Sequence, residues 1–315
     1  MQHEPYLLDL LRRRRHDFDA VLLDIDGTLT DHGHALPGTV EMLAWLRRDR
    51  VPFLCLTNDG NHPVTQKAEF LQRCGLDIAR AEIVSCAHAI FNYAAETGLA
   101  GRPVFIMGQL GVRFPPIAGA AGENPGPPAA EPDSRVFSET HDLELLPECA
   151  GVIVGEGAYD WFRVVSGVFN FFVHKPDAFL IVPNPDSYWP DGRRGLGIGA
   201  GGVARFIQRL LQDFGQPFEP VYLGKPYPRI FEDARHCLQQ RHGAQVGAVP
   251  ERIWVIGDSL QADVQGANGV GFRSVLILTG ITKARRLEAD CRRTGIHPWL
   301  VADLFTGGVP GDRQP

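Results

Sequence analysis

Residues 21–28, VLLDIDGT, indicate both the fold class and the chemistry of this chain. A short apolar run ends in two carboxylates, Asp24 and Asp26, and breaks at Gly27. Near the end of a strand, side chains at i and i+2 point to the same side, so both acids are expected to face one pocket. Two close carboxylates resist ionising together unless a cation lies between them. The pair therefore predicts either a divalent metal site or an acid–base pair with separated pKa values.

The composition is that of an ordinary globular protein, with 315 residues, 44% hydrophobic and 22% charged, and a formal net charge of -6. A mildly acidic chain is poorly suited to binding nucleic acid or anionic membranes, so neither partner is expected. No apolar run approaches the roughly 18 residues of a membrane span, and no signal-type stretch follows the basic run at 12–15. The six cysteines are scattered without a CxxC pair, which predicts reduced thiols, no structural zinc site and a cytoplasmic location.

Strand-like and helix-like segments alternate at both ends of the chain, which predicts a parallel sheet covered on both faces. The predicted core strands are about 19–24, 51–56, 220–223, 252–256 and 274–278. Between them the pattern changes, and 109–133 is crowded with Gly, Pro and Ala, which predicts a long irregular insertion. We therefore expect an α/β fold, with a Rossmann-like doubly wound parallel-sheet core of residues 1–85 and 196–315. A smaller α/β domain, residues 86–195, is expected to be inserted into it.

Polar residues suited to phosphate chemistry follow several of the predicted strands. Asp24 and Asp26 follow the first strand, Thr57 the second, Lys225 the strand at 220–223, and Asp258 the strand after that. Ligands of open parallel sheets bind beyond the carboxyl ends of the strands, so these residues are expected at one edge. Each residue also has a plainer interpretation; Thr57, for example, is suited to capping the next helix.

Together these motifs resemble those of the haloacid dehalogenase superfamily of phosphohydrolases. The matching segments are Asp24-Ile25-Asp26-Gly27-Thr28, Leu56-Thr57-Asn58, Gly224-Lys225-Pro226, and Gly257-Asp258 with Asp263. The first two motifs are close together and the next is far away, a spacing that in this family accompanies a type-two α/β cap inserted in the middle. The motif order and the Gly-rich return at 195–202 resemble the branch that holds NagD and the nitrophenyl-phosphatase-like enzymes.

The resemblance implies a role for each acid and for the lysine. Asp24 would be the nucleophile that forms an aspartyl-phosphate, and Asp26 would be the general acid and base. Mg²⁺ would be held by Asp24, the backbone carbonyl of Asp26 and Asp258, while Asp263 would support the metal or position Lys225. Lys225 and the ion would neutralise the repulsion between Asp24 and an anionic phosphate.

The resemblance also implies substrate contacts. Thr57 and Asn58 would bind the phosphoryl oxygens. The segment PNPDSYW at 183–189 resembles the family's cap loop, which makes Asn184 and Asp186 candidate substrate-binding residues. The alternative for this segment is a surface turn rich in Pro, Asn and Asp. Asp59 adds a negative charge beside the predicted phosphate site, which leaves the role of its turn open.

The preferred interpretation is a Mg²⁺-dependent phosphatase that hydrolyses a small phosphorylated metabolite through an aspartyl-phosphate intermediate. A phosphomutase or other phosphotransferase would use the same residues and exclude water after the first step. A non-catalytic binding protein on the same fold is the third alternative. The sequence identifies neither the substrate nor the oligomeric state, although relatives often form homodimers through their caps.

One further motif has the letters of a dinucleotide-binding fingerprint, Gly197-x-Gly199-x-x-Gly202. The fingerprint requires an apolar strand immediately before its first glycine, and residues 191–194 are polar instead. We therefore expect no nucleotide cofactor at this turn.

Overall fold

The computed structural model describes residues 2–117, 137–190 and 195–306. Residues 118–133 of the predicted insertion and the Gly/Pro-rich tail after 306 lie outside the described residues. The strands in chain order are β1 (Gln2–Tyr6), β2 (Ala20–Leu23), β3 (Thr30–Asp31), β4 (His34–Ala35), β5 (Phe53–Thr57), β6 (Ile83–Ser85), β7 (Arg102–Met107), β8 (Phe137–Thr140), β9 (Gly151–Val154), β10 (Phe179–Val182), β11 (Tyr188–Pro190), β12 (Leu196–Ile198), β13 (Val221–Tyr222), β14 (Ile253–Gly257), β15 (Arg273–Ile277) and β16 (Leu300–Leu304). The α-helices are α1 (Leu7–Arg13), α2 (Thr39–Arg48), α3 (Val64–Arg73), α4 (Ala89–Thr97), α5 (Trp161–His174), α6 (Ala200–Asp213), α7 (Pro228–His242), α8 (Gln265–Gly269) and α9 (Ala284–Thr294). Within these described ranges, no helix combines the length and apolar character needed to cross a membrane.

The chain divides into two compact units. The first comprises Met1–Thr57, Lys67–Val84 and Pro226–Pro315, and the second comprises Asn58–Gln66 and Ser85–Lys225. The predicted domains differ from these units in the segments 58–66 and 196–225, which were placed in the core and belong to the second unit.

The first unit is built on a seven-stranded sheet in the order β1-β16-β15-β14-β2-β5-β6. The neighbours from β1 to β5 in this order pair in parallel. β2, β5 and β14 are buried along their whole length, as expected for a parallel sheet covered on both faces. The predicted α/β fold with a parallel core sheet is confirmed. The edge strand β1 was not predicted from the sequence.

The second unit contains a five-stranded parallel sheet in the order β13-β10-β9-β7-β8. Successive side chains of a strand point to opposite faces, so each strand contributes to two cores. On one face Val152 and Val182 pack with α5 and α6, and on the other Ile153 and Ile181 pack with α4. This arrangement confirms the prediction of an inserted α/β layer.

Two segments that were predicted to belong to the core domain pack in the second unit instead. The predicted strand at 220–223 is β13, which pairs with β10 through Val221 opposite Ile181. Helix α6 buries Val203 and Ile207 in the same core as β9 and β10. The prediction was wrong here because an apolar run shows that a segment is buried, but it does not show which of the two sheets the segment joins or packs against.

Candidate active site

The carboxyl ends of β2 and β14 bring Asp24 and Asp258 side by side. The two strands are neighbours in the parallel sheet, with Leu23 opposite Ile256. Asp24 directly follows β2, and its N–H donates to the Ile256 carbonyl at 2.9 Å. Asp258 directly follows β14. The parallel register therefore places the two carboxylates at the same sheet edge, as the sequence predicted.

Asp263 joins these acids from the turn that follows β14. This turn is a short π-helix, Leu260–Val264, which leads directly into α8. The Ser259 side chain accepts from the Ala262 N–H at 3.0 Å, and the Ser259 N–H donates to the Asp263 carboxylate at 3.1 Å. These bonds aim Asp263 back toward the strand end. One carboxylate oxygen each of Asp24, Asp258 and Asp263 lies within 4.8 Å of the others.

The donor set of this aspartate cluster (Asp24, Asp258 and Asp263) fits a hard divalent cation. The three side chains are 9%, 5% and 2% exposed, so water screens their charges weakly. Buried carboxylates this close are stable together only with a proton or a cation between them. Oxygen ligands are those that Mg²⁺ and Ca²⁺ prefer. The cluster is therefore suited to one such ion.

Glycines make room for the cluster. A Cβ at Gly280 would lie 1.8 Å from Asp258 Oδ2, and one at Gly257 would lie 2.1 Å from Asp263 Cγ. Gly27, which has a φ of +80°, would place a Cβ 2.5 Å from Asp258 Oδ2. The Ile281 N–H also donates to Asp258 Oδ2. Backbone thus approaches the acids more closely than a residue with a Cβ would allow, and Gly27 forms the turn at which the apolar run breaks.

Asp26 is placed differently from Asp24. Its side chain is exposed, and it does not belong to the group of clustered carboxylates found among the described residues. The chain turns back after it, with the Gly27 N–H donating to the Thr30 carbonyl at 2.7 Å. An exposed carboxylate beside a buried one suits proton exchange with solvent. Its predicted metal contact through the backbone carbonyl stays a prediction.

Thr57 ends β5, which pairs with β2 in parallel, so it lies at the same edge as Asp24. It is 2% exposed. Helix α3 begins only at Val64, well after Thr57, so Thr57 does not cap it. The position is consistent with the predicted phosphate contact and excludes the plainer capping interpretation.

The other predicted residues form a network within the second unit. Asn58 Oδ1 accepts from the Lys225 N–H at 2.7 Å, and Asn58 Nδ2 donates to the Lys225 carbonyl at 2.9 Å. Asn58 Nδ2 also donates to Asp186 Oδ2 at 3.2 Å. The Asp186 N–H in turn donates to Asn184 Oδ1 at 2.9 Å. The structure thus brings Asn58, Lys225, Asn184 and Asp186 together, although their substrate-binding roles stay predictions.

Glu156 completes this network and was missed from the sequence. It is 8% exposed, and its carboxylate accepts from Asn184 Nδ2 and, at 2.9 Å, from Asn61 Nδ2. Burial raises the pKa of Glu156, the hydrogen bond from Asn184 lowers it, and the charge of Asp59 raises it again, so that the net shift is upward. The sequence feature that could have identified Glu156 is its position shortly after the apolar run that forms the buried strand β9.

Asp59 stabilises its own turn. Its Oδ1 accepts from the Asn61 N–H at 2.9 Å and from the His62 N–H at 3.2 Å, and it also pairs with the His62 ring. A side chain that bonds backbone two or three residues on is the usual way in which Asp forms a tight turn. Asp59, whose role the sequence left open, therefore stabilises the turn that contains Asn58.

The Gly-rich turn at 195–202 serves packing. The Gly199 N–H donates to the Ser187 carbonyl at 2.9 Å and the Gly201 N–H to the Asp186 carbonyl at 3.1 Å. A Cβ at Gly201 would lie 1.9 Å from the Pro185 carbonyl oxygen. The start of α6 is thus covered by the loop at 183–187, and these amides are already used.

Comparisons with known proteins identify the family to which the chain belongs. A haloacid dehalogenase-like hydrolase model matches residues 21–114, and a HAD-hydrolase-like model matches residues 222–306. The glycerol-3-phosphate phosphatase of Rattus norvegicus is 26% identical over 308 residues, which cover 93% of this chain and 89% of that protein.

Solved structures share the fold along nearly the whole chain. A p-nitrophenyl phosphatase from Archaeoglobus fulgidus matches with a TM-score of 0.71 at 21% identity, covering 92% of this chain and 97% of that one. NagD from E. coli K-12 matches with a TM-score of 0.69 at 21% identity, covering 92% and 98%. The chain belongs to the haloacid dehalogenase-like hydrolases, and its fold is the one found in NagD and in that p-nitrophenyl phosphatase.

Proposed function

We propose that this protein is a Mg²⁺-dependent phosphatase that hydrolyses a small phosphorylated metabolite through an aspartyl-phosphate intermediate. The observation that carries the proposal is the buried aspartate cluster at the carboxyl ends of β2 and β14. The family models and the phosphatase relatives support the same reaction class.

The proposed reaction has two steps. A carboxylate oxygen of Asp24 attacks phosphorus, the bond to the leaving oxygen breaks, and Asp26 donates a proton to that oxygen. Water then attacks the phosphorus, Asp26 takes its proton, and the bond to Asp24 breaks to release inorganic phosphate. A divalent ion bound by Asp24, Asp258 and Asp263 would offset the negative charge of the phosphoryl group during both steps.

Other residues are proposed to bind the phosphoryl group. The Thr57 hydroxyl and backbone amides of the turn that begins at Asn58 would donate to its oxygens. Following the family resemblance, the Lys225 ammonium would neutralise its charge. Lys225 is 2% exposed, so an ionic contact made by it would be only weakly screened by water.

The substrate class is proposed from the relatives and from the second unit. One relative is named for glycerol 3-phosphate, a small phosphorylated polyol. The loop that carries Asn184 and Asp186 is proposed to contact the organic part of the substrate, with exposed Tyr188 and Trp189 beside it. A screen of phosphorylated polyols, sugars, acids, nucleotides and pyridoxal phosphate would identify the preferred substrate. A homodimer formed through the second unit and a cytoplasmic location stay predictions.

Incubation with p-nitrophenyl phosphate and Mg²⁺ tests the proposal. The wild type should release nitrophenol, and Asp24→Asn should lose at least about a thousandfold in kcat because it removes the nucleophile. Phosphate release that is unchanged in Asp24→Asn would exclude the proposed intermediate. Transfer to an added alcohol or sugar in place of water would favour the phosphotransferase alternative. No turnover of any phosphate ester would favour a binding protein.

A further inference from the structure

The backbone of Lys225 is held by one side chain at two points. Asn58 accepts from its N–H at 2.7 Å and donates to its carbonyl at 2.9 Å, as a neighbouring strand would. A Cβ at Gly224 would lie 2.6 Å from Asn58 Oδ1, so only glycine lets the amide come this close. This two-point contact fixes both the place and the direction of the Lys225 backbone.

Asn58 is itself held from two directions, and both lead to Glu156. Its second N–H donates to Asp186 Oδ2, and the Asp186 backbone is bonded to Asn184, which donates to Glu156 Oε1. In the other direction, Asn61 lies in the same turn as Asn58 and donates to Glu156 Oε2 at 2.9 Å. One carboxylate thus joins the 58–61 turn to the 184–186 loop.

Glu156 is anchored firmly enough for this task. Its N–H donates to the Gln109 carbonyl at 3.0 Å, and its carbonyl accepts from the Gln109 N–H at 2.7 Å. Its carboxylate also accepts from the N–H of Ala200. Ala200 is the first residue of α6, where the helix dipole favours a negative charge. The carboxylate therefore bonds three donors that come from three separate segments.

We propose that Glu156 is a positioning residue for Lys225, acting through Asn61, Asn184 and Asn58. The proposal rests on the proposed function, in which the Lys225 ammonium binds the phosphoryl group. Both carboxylate oxygens accept hydrogen bonds, and glutamine offers only one acceptor oxygen. The amide NH₂ of glutamine would face the NH₂ of Asn61 or Asn184, so that side chain must rotate away from its present bond.

The charge of Glu156 makes this role separable from a purely structural one. Burial and the nearby charges of Asp59 and Asp186 raise its pKa, against the hydrogen bonds from Asn184 and Ala200. An acid whose pKa is raised in the folded state costs stability as pH rises from its ordinary value of 4.5 through the raised value. As pH rises through this window, the stability difference between Glu156→Gln and the wild type should therefore move in favour of Glu156→Gln, while its activity stays lower.

The test compares Glu156→Gln with Glu139→Gln. Glu139 lies in the same unit and is 7% exposed, and it bonds to the Phe114 N–H at 3.1 Å and pairs with Arg113. With p-nitrophenyl phosphate and Mg²⁺, Glu156→Gln should lower kcat/KM by about ten- to a hundredfold through misplacement of a binding group. Glu139→Gln should stay within about threefold of the wild type.

A double-mutant cycle tests the route. If Glu156 acts through Asn58, the double variant Asn58→Ala/Glu156→Gln should be about as impaired as Asn58→Ala alone, instead of showing the product of the two losses. Fully multiplicative losses would overturn the proposal, as would equal effects of Glu156→Gln and Glu139→Gln. If Glu156→Gln does not fold, Asn61→Ala replaces it, because that change removes only one donor.

If the proposed function itself is wrong, the results would differ from those that overturn the role of Glu156. In that case wild-type protein would release no phosphate, or Asp24→Asn would keep its activity. Calorimetric binding of inorganic phosphate would then test the position of Lys225 without turnover. A Kd that rises about tenfold in Glu156→Gln, and stays unchanged in Glu139→Gln, would support the positioning role, and an unchanged Kd in both would overturn it.

Discussion

The aspartate cluster predicts that a divalent metal ion raises the free energy of unfolding, and that removing one of the three acids abolishes most of this gain. The ligand oxygens of Asp24, Asp258 and Asp263 lie within 4.8 Å of one another. At an effective dielectric constant of about 20, each ionised pair then repels by at least about 3.5 kcal/mol. Asp258→Asn removes two of the three repulsions and keeps an oxygen that can accept from the Ile281 N–H.

The size of the expected effect follows from linkage. A ligand at about 100 times its Kd adds about 2.7 kcal/mol to the free energy of unfolding. For a folding unit of this size, that corresponds to a rise in melting temperature of about 5–10 °C. Wild-type protein treated with EDTA should therefore show this rise on addition of saturating Mg²⁺.

The assay is thermal unfolding followed by fluorescence, in EDTA and then in Mg²⁺. In EDTA, Asp258→Asn should melt at or above the wild-type temperature, because two repulsions are gone. Addition of Mg²⁺ should hardly raise the melting temperature of Asp258→Asn, so that in Mg²⁺ the wild type melts at the higher temperature. Glu288→Gln, whose side chain is 82% exposed on α9, should shift like the wild type. The reasoning is refuted if Asp258→Asn is less stable than wild type in EDTA, or if it keeps the full Mg²⁺ shift.

Two further variants test the packing around the site and an ion pair away from it. Gly280→Ala would place a Cβ 1.8 Å from Asp258 Oδ2, so it should abolish the rise in melting temperature on addition of Mg²⁺. The control is Gly269→Ala, whose Cβ would meet nothing within 4 Å and which should keep this rise. Equal rises in both variants would contradict the prediction. Burial raises the pKa of Glu82, but hydrogen bonds from Arg47 and a backbone N–H lower it more, so the net shift is downward. Its stabilisation is therefore complete above the ordinary pKa of 4.5 and is lost as pH falls through the lowered value. At pH 7, Glu82→Gln should lower the free energy of unfolding in urea by about 1 kcal/mol, a value that allows for the partial exposure of the Glu82–Arg47 pair. At pH 3 the loss should be much smaller. An equal loss at both pH values would argue against a stabilising ion pair.

Much of the first unit could be predicted because its signals are local. Each buried strand is a short apolar run that ends in a polar residue, and the parallel register then decides which of these residues meet. Asp24 and Asp258 lie side by side for this reason, since Leu23 is opposite Ile256 in neighbouring strands. Thr57 lies at the same edge because β5 pairs with β2.

The assignment of Lys225 to the core sheet failed because strand pairing is a tertiary choice. The apolar run before it is short enough to pair with either sheet, and its pairing with Ile181 of β10 cannot be read from its own residues. The acidic turn at Asp59 was ambiguous for a related reason. Its carboxylate accepts from the backbone N–H groups of Asn61 and His62, and the sequence alone did not show whether it serves the turn or the phosphate site.

The rule that found Asp24 and Asp258 would also have found Glu156 had it been applied to the second sheet. Glu156 follows the buried strand β9 just as those acids follow β2 and β14. The two edges differ in what surrounds the charge. Amide N–H groups from Asn61 and Asn184 and the start of α6 satisfy one carboxylate at the second edge, which can therefore hold segments in place unaided. Three buried carboxylates at the first edge repel one another, so that edge needs a cation to be stable with all of them ionised.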